Sequence, residues 1–176
     1  MRKSVYWAIW GFLFTSIVGT LLHFAFEWSG NMPVIGLVSA VNESIWEHMK
    51  LIFYPMAACA VIQYRSGQRR GTGYWCVKLI SILIALSLIP VIYYTYTGIL
   101  GTSADWFNIA IFFISAGIAY RSEAIRFQKG RNCPLSDGVA GGLIAVIALL
   151  FVVFTFFPPK IPLFADPRTG AFGYVR

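Results

Sequence analysis

Five apolar runs, of which 106–120 is the shortest and the others come close to the thickness of a bilayer, divide this chain and leave few folds open to it. A helix rises 1.5 Å per residue, so about 20 apolar residues cross a hydrocarbon core of roughly 30 Å. The runs cover residues 5–22, 44–64, 74–96, 106–120 and 138–157. Only 12% of the residues are charged and 58% are hydrophobic, whereas a soluble domain carries about 25% charged residues. The expected class is all-α. It is a polytopic membrane protein of about five transmembrane helices, forming a single integral membrane domain over residues 1–176. The first run follows Met-Arg-Lys like a signal peptide, yet it exceeds an h-region of about 7–15 residues and no A-x-A site follows. It is expected to remain as the first span.

Charge sorts by side. With five spans, ten basic residues share one side with two acids, Glu123 and Asp137. That basic group includes Arg65, Arg69, Arg70, Lys78, Arg121, Arg126, Lys129 and Arg131. The other side holds Lys50, Lys160, Arg168 and Arg176 against Glu27, Glu43, Glu47, Asp105 and Asp166. The positive-inside rule then places the chain in a cell membrane, multi-pass, with a cytoplasmic N-terminus and an extracytoplasmic C-terminus. Because the basic residues lie in loops beside spans, the expected partner is membrane lipid and not nucleic acid; oligomeric state is left open. Residues 121–132 read as a basic loop. The tail, 158–176, has too many Pro and Gly residues for a regular helix and is expected to be a non-helical, outward-facing segment.

Cys59, Cys76 and Cys133 are odd in number, far apart and without metal-ligand spacing. They make no disulfide framework and are expected to be ordinary small residues.

The polar exception to this apolar chain is 23–50, which holds three of the seven acids, both histidines, and Trp28 and Trp46. Ionisable groups at the edge of hydrocarbon cost several kcal/mol unless paired, hydrated or metal-bound, so they are functional by default. Ser16, Thr20, His23 and Glu27 fall on one helical face. Gly30, Asn31 and Pro33 mark a turn, after which a short re-entrant or interfacial helix is expected around 33–39. Ser44-x-x-Glu47 is a capping-box pattern, which favours a helix break before the second span. In one unbroken helix His48 would point about 140° from Glu43 and about 100° from Glu47. The three can face one site only across such a break. HExxH is not the motif here, because no second histidine follows.

Imidazole and carboxylate together suit zinc and similar divalent ions, and they also suit general acid–base work. The metal-ligand candidates are His23, Glu27 and Glu43, with a divalent metal such as zinc as the cofactor. The catalytic candidates are Glu43, Glu47 and His48. Asn42 and Trp46 beside them, and Asp166 and Arg168 in a tail anchored by Phe164, Phe172 and Tyr174, are the substrate-binding candidates. Asp105 reads as a helix cap.

His23, Glu27-Trp28-Ser29, Pro33-Val34-x-Gly36 and Asn42-Glu43-Ser44-x-Trp46-Glu47-His48-x-Lys50 together resemble an uncharacterised family of small polytopic prokaryotic membrane proteins. The likeness covers most of the chain. It implies a prokaryotic cytoplasmic membrane and brings no activity, cofactor or catalytic residue with it. From the residues, three classes stay open. One is a metal-dependent hydrolase or transferase acting on a lipid or lipid-linked substrate. A second is a small transporter or channel for protons, cations or a small solute. The third is a non-catalytic binding or assembly subunit.

Overall fold

The computed structural model describes residues 2–66, 73–130 and 133–174. Arg69, Arg70, Arg131 and Arg176 lie outside the described residues. Five long helices run in sequence: α1 (Arg2–Trp28), α3 (Ile45–Arg65), α4 (Tyr74–Leu100), α5 (Asp105–Gln128) and α6 (Asp137–Phe156). A one-turn helix, α2 (Pro33–Gly36), sits between α1 and α3, where the sequence predicts a short re-entrant element. Among the described residues the β structure is a lone antiparallel bridge, Ala165 to Phe172. By length and composition, α1, α3, α4 and α6 are each long and apolar enough to cross a membrane. The fold is an all-α polytopic membrane protein.

Helices α1, α3, α4 and α5 close a ring in which each packs on two neighbours, and α6 packs on the outside against α4 and α3. The apolar core is shared by the ring and includes Ile52, Phe53, Ile82, Ala85, Ile111, Ala116 and Phe151. Outward faces of α1 and α6 stay apolar and exposed: Ile9, Leu13 and Ile17 on one, Leu143, Val146 and Leu149 on the other. That is the face hydrocarbon requires. Between lipid-facing helices small residues allow close approach. A Cβ on Gly19 would stand 2.6 Å from the Leu51 carbonyl oxygen, so this glycine lets α1 touch the backbone of α3. Pro55 and Pro90 lie within α3 and α4 without ending them.

The helices alternate, so each end of the bundle collects its own loops. The basic end holds the start of α4, the end of α5 and the start of α6. There Asp137 accepts N–H bonds from Gly73 (2.9 Å), Trp75 (2.8 Å) and Cys76 (3.4 Å), which caps α4 from the first turn of α6. The cysteine expectation is corrected here: Cys76 and Cys133 form a disulfide, with Cα atoms 6.1 Å apart, and Cys59 is the buried free thiol. Their sequence separation of 57 gave no spacing signal. Their approach comes from α4 packing on α6, a tertiary contact.

Two further expectations change at this level. Residues 121–128 are helical, because Arg-Ser-Glu-Ala-Ile-Arg-Phe-Gln contains no breaker, and α5 extends well past its apolar run. Asp105 is the first residue of α5 and not its cap, which is Ala104. Tyr96 holds that turn instead: its hydroxyl accepts from the Ala104 N–H and donates to Asn108 Oδ1.

Candidate functional site

The opposite end of the bundle is shaped by the break before α3. Residues 37–44 are not helical. Ser44 caps α3 by accepting the Glu47 N–H at 3.3 Å. Asn42 Oδ1 accepts the Ser44 N–H at 2.9 Å, and Asn42 Nδ2 donates to the Gly173 carbonyl at 3.0 Å. Asn42 therefore holds the break and the tail. Ser39, fully buried, ties the same segment to α1: its hydroxyl accepts from the Phe26 N–H and donates to the Leu22 carbonyl.

This break sends Glu43 and Glu47 to different places. Glu47 turns inward. Its Oε2 accepts the Val41 N–H at 2.9 Å and faces Lys50 Nζ at 2.5 Å, with both side chains buried. Lys50 also donates to the Gly36 carbonyl (2.8 Å) and to Thr155 Oγ1 (2.9 Å). An ammonium has three N–H donors, and here all three are used. Thr155 passes its own proton to the Phe151 carbonyl at 2.8 Å. This closed network joins α2, α3 and α6 and keeps Glu47 buried. Lys50 and Thr155 were not singled out from the sequence. The Glu47–Lys50 spacing of three was the available signal for the pair; Thr155, on α6, gave none.

Glu43, outside the helix, meets His48. Its Oε2 stands 3.6 Å from His48 Nε2, and the rings of His48 and His23 lie edge to face at 5.3 Å. One ligand atom from each of His23, Glu43 and His48 lies within 4.8 Å of the others, and all three residues are half-buried. His48 Nδ1 lies 2.9 Å from the Ser44 carbonyl. A carbonyl only accepts, so Nδ1 carries a proton and Nε2 is the atom that faces Glu43. Backbone anchoring of the far ring nitrogen is how metal-binding histidines are oriented. A lone pair facing a carboxylate is repulsive until a proton or cation lies between them.

Glu27 is exposed at the end of α1 and is not part of this trio. Trp46 packs against Phe151 (4.6 Å), Phe164 (4.7 Å) and Phe154 (5.5 Å), so its ring serves the junction of α3, α6 and the tail.

The tail is not extended. It makes one 3-10 turn, Pro162–Phe164, then folds back through Asp166. Asp166 Oδ1 accepts from the Arg168 N–H (2.7 Å) and the Thr169 N–H (3.3 Å). Burial pushes the Asp166 carboxyl up, but bonds from Arg168, Thr169 and the Glu43 amide outweigh it and hold the group below its ordinary range. Gly173 is needed where the tail meets α6: its φ is +61°, and a Cβ would stand 2.5 Å from the Thr155 carbonyl oxygen. Tyr174 donates its N–H to that oxygen at 2.8 Å and its ring meets Phe26. Arg168 points outward, 3.5 Å from Asp105, with both groups well exposed.

A second buried pair lies near the basic end. Lys78 Nζ is 2.6 Å from Glu123 Oε1 and 2.7 Å from Gln63 Oε1, with Tyr74 and Phe127 rings nearby. Gln63 donates onward to the Trp7 carbonyl, so α1, α3, α4 and α5 meet at one polar point.

No curated protein and no solved structure matches this chain. A family model does match, over residues 1–174, and the chain belongs to that family, DUF6512, a family of unknown function.

Proposed function

We propose that this protein is a membrane-embedded, metal-dependent hydrolase or transferase. In this reading His23, Glu43 and His48 hold a divalent ion such as zinc, and the substrate is a lipid or lipid-linked molecule. The observation that supports it is the trio itself, with His48 Nε2 turned toward Glu43 by the Ser44 carbonyl. Two imidazoles and one carboxylate form a donor set that leaves a coordination position open, as catalytic zinc sites do. Ligands about 2.0–2.2 Å from zinc stand roughly 3.4 Å apart, so the trio would close by about an ångström around an ion. A bound ion of this kind supplies Lewis acidity and a water ionisable near neutral pH.

This chain's own residues would do the rest. Ser44 fixes the His48 ring. Arg168, on the turn that Asp166 organises, offers an exposed guanidinium to an anionic group on the substrate. In this reading the trio faces outward and the N-terminus is cytoplasmic, an orientation that the charge sorting of the loops supports.

Elemental analysis of the purified protein tests the reading. It expects about one divalent ion per chain, lost in His23→Ala, Glu43→Gln and His48→Ala and kept in Glu27→Gln. Metal far below stoichiometry, or unchanged by the three substitutions, rejects the site. Proteoliposome flux abolished by Glu43→Gln in a metal-free protein would replace this reading with a transporter.

A further inference from the structure

We propose that the basic end carries a binding site for an anionic phospholipid, with one acyl chain lying between α1 and α5 and the phosphate held by the last turns of α5. This site is separate from the His/Glu trio and does not depend on it.

A groove of about 350 Å³ opens between α1 and α5. Its walls include Ile9 and Phe12 on α1 and Gly117 and Ile125 on α5, and Arg121 stands at its rim. Gly117 makes the depression, because a Cβ there would meet nothing closer than Phe12 at 3.9 Å. Around Arg121 the groove continues into a second one, lined by Ser122, Arg126 and Lys129 as well as Arg121 and Ile125. The apolar run of α5 ends at Tyr120. Arg121 therefore sits where hydrocarbon gives way to headgroups.

The cations here are of two kinds. Lys78, deeper in the bundle, is paired with Glu123. Arg126 keeps a buried Nε with no hydrogen-bond acceptor among the described residues, and a buried guanidinium donor without a partner is costly. Arg121 and Lys129 are exposed. Three basic side chains over an apolar groove complement a phosphodiester above an acyl chain. Basic pockets between membrane helices bind anionic headgroups in this way, and each such residue contributes about 1 kcal/mol near a membrane surface. A zwitterionic headgroup would bring its own cation to the same place and lose most of that gain.

Native mass spectrometry of the full chain, released from detergent with added 1-palmitoyl-2-oleoyl phosphatidylglycerol or phosphatidylcholine, tests this. The expected result is one retained phosphatidylglycerol, favoured over phosphatidylcholine by about tenfold or more. The variant R121Q/R126Q/K129Q should bring the two lipids level. Gly117→Leu fills the groove, suits a helix and should weaken retention of both lipids while the anionic preference per bound lipid persists. Glycerol phosphate, which lacks the acyl chain, should not compete at equal concentration. Equal retention of the two lipids by the unmodified protein, or a preference untouched by the triple substitution, overturns the proposal. Displacement by glycerol phosphate would show a free anion site and also overturn it.

Discussion

Glu47 and Lys50 show what a charge inside this bundle costs and how the chain offsets it. Both side chains are buried, and every Lys50 donor has an acceptor. Removing one partner of such a pair leaves an uncompensated charge, which destabilises by about 3–5 kcal/mol. Glu47→Gln and Lys50→Met should each cost about that much, read as a lower midpoint in detergent unfolding. The double variant should recover most of the loss, since an apolar replacement of both is often neutral. Losses that simply add would mean the two do not act as a pair. Asp166 gives a pH test at the same scale. Its folded value lies below the ordinary 3.8, so its grip on the tail is complete above that pH and fades as pH falls through the lowered value. Asp166→Asn should weaken the docking at neutral pH by about 1–3 kcal/mol. Faster hydrogen exchange at Arg168, Thr169 and Glu43 would report it, and unchanged exchange would contradict it. In the sequence, Glu43 stands beside Asn42 and Ser44 at an expected helix start, and Glu47 lies one turn further on. Only the break at Ser44 separates an inward structural carboxylate from one that meets two histidines. The capping pattern made the break legible; the destination of each side chain was set by Gly36, Val41 and Thr155, which carry no sequence signal of their own.

Helix boundaries follow from composition where lipid is the solvent, and less well where protein replaces it. Spans 44–64 and 138–157 match α3 (Ile45–Arg65) and α6 (Asp137–Phe156) within a residue. Apolar length and a serine cap at each start, Ser44 and Ser136, decide those. The end of α5 does not follow that rule, because Glu123 is buried against Lys78 and pulls charged helix into the bundle. The start of α4 is the other case. It is held by Asp137, 62 and 64 residues away from its partners, and by the Cys76–Cys133 bond across a separation of 57, distances that periodicity cannot see. Alkylation of denatured, unreduced protein should therefore modify one thiol per chain, Cys59; three modified thiols would mean the bond does not form. Cys76→Ser with Cys133→Ser should lower stability by about 2–4 kcal/mol and leave the α4 cap by Asp137 in place.

At the scale of the molecule, the bundle separates its chemistry by end. One end is basic and pinned by a disulfide; the other brings α1, the break before α3 and the tail to one place. Five alternating helices require residues 129 and 160 to lie on opposite sides. Lys129→Cys and Lys160→Cys should accordingly label from opposite faces of sealed vesicles with an impermeant maleimide. Labelling from the same face would contradict the architecture. The class, the order of the five long helices and the polar centre were readable from hydropathy and from the clustering of His and Glu in 23–50. The ring of α1, α3, α4 and α5 and the folding back of the tail were not, because each depends on small-residue contacts such as Gly19 on Leu51 and Gly173 on Thr155.

The central claim is that His23, Glu43 and His48 share one divalent ion. X-ray absorption at the edge of the metal in the loaded protein reads its ligands directly. The account predicts the multiple-scattering pattern of two imidazoles, together with an oxygen at about 2.0–2.2 Å for the carboxylate; the pattern should fall to one imidazole in His23→Ala. A shell of oxygen alone, or a spectrum indifferent to both His23→Ala and His48→Ala, would contradict it.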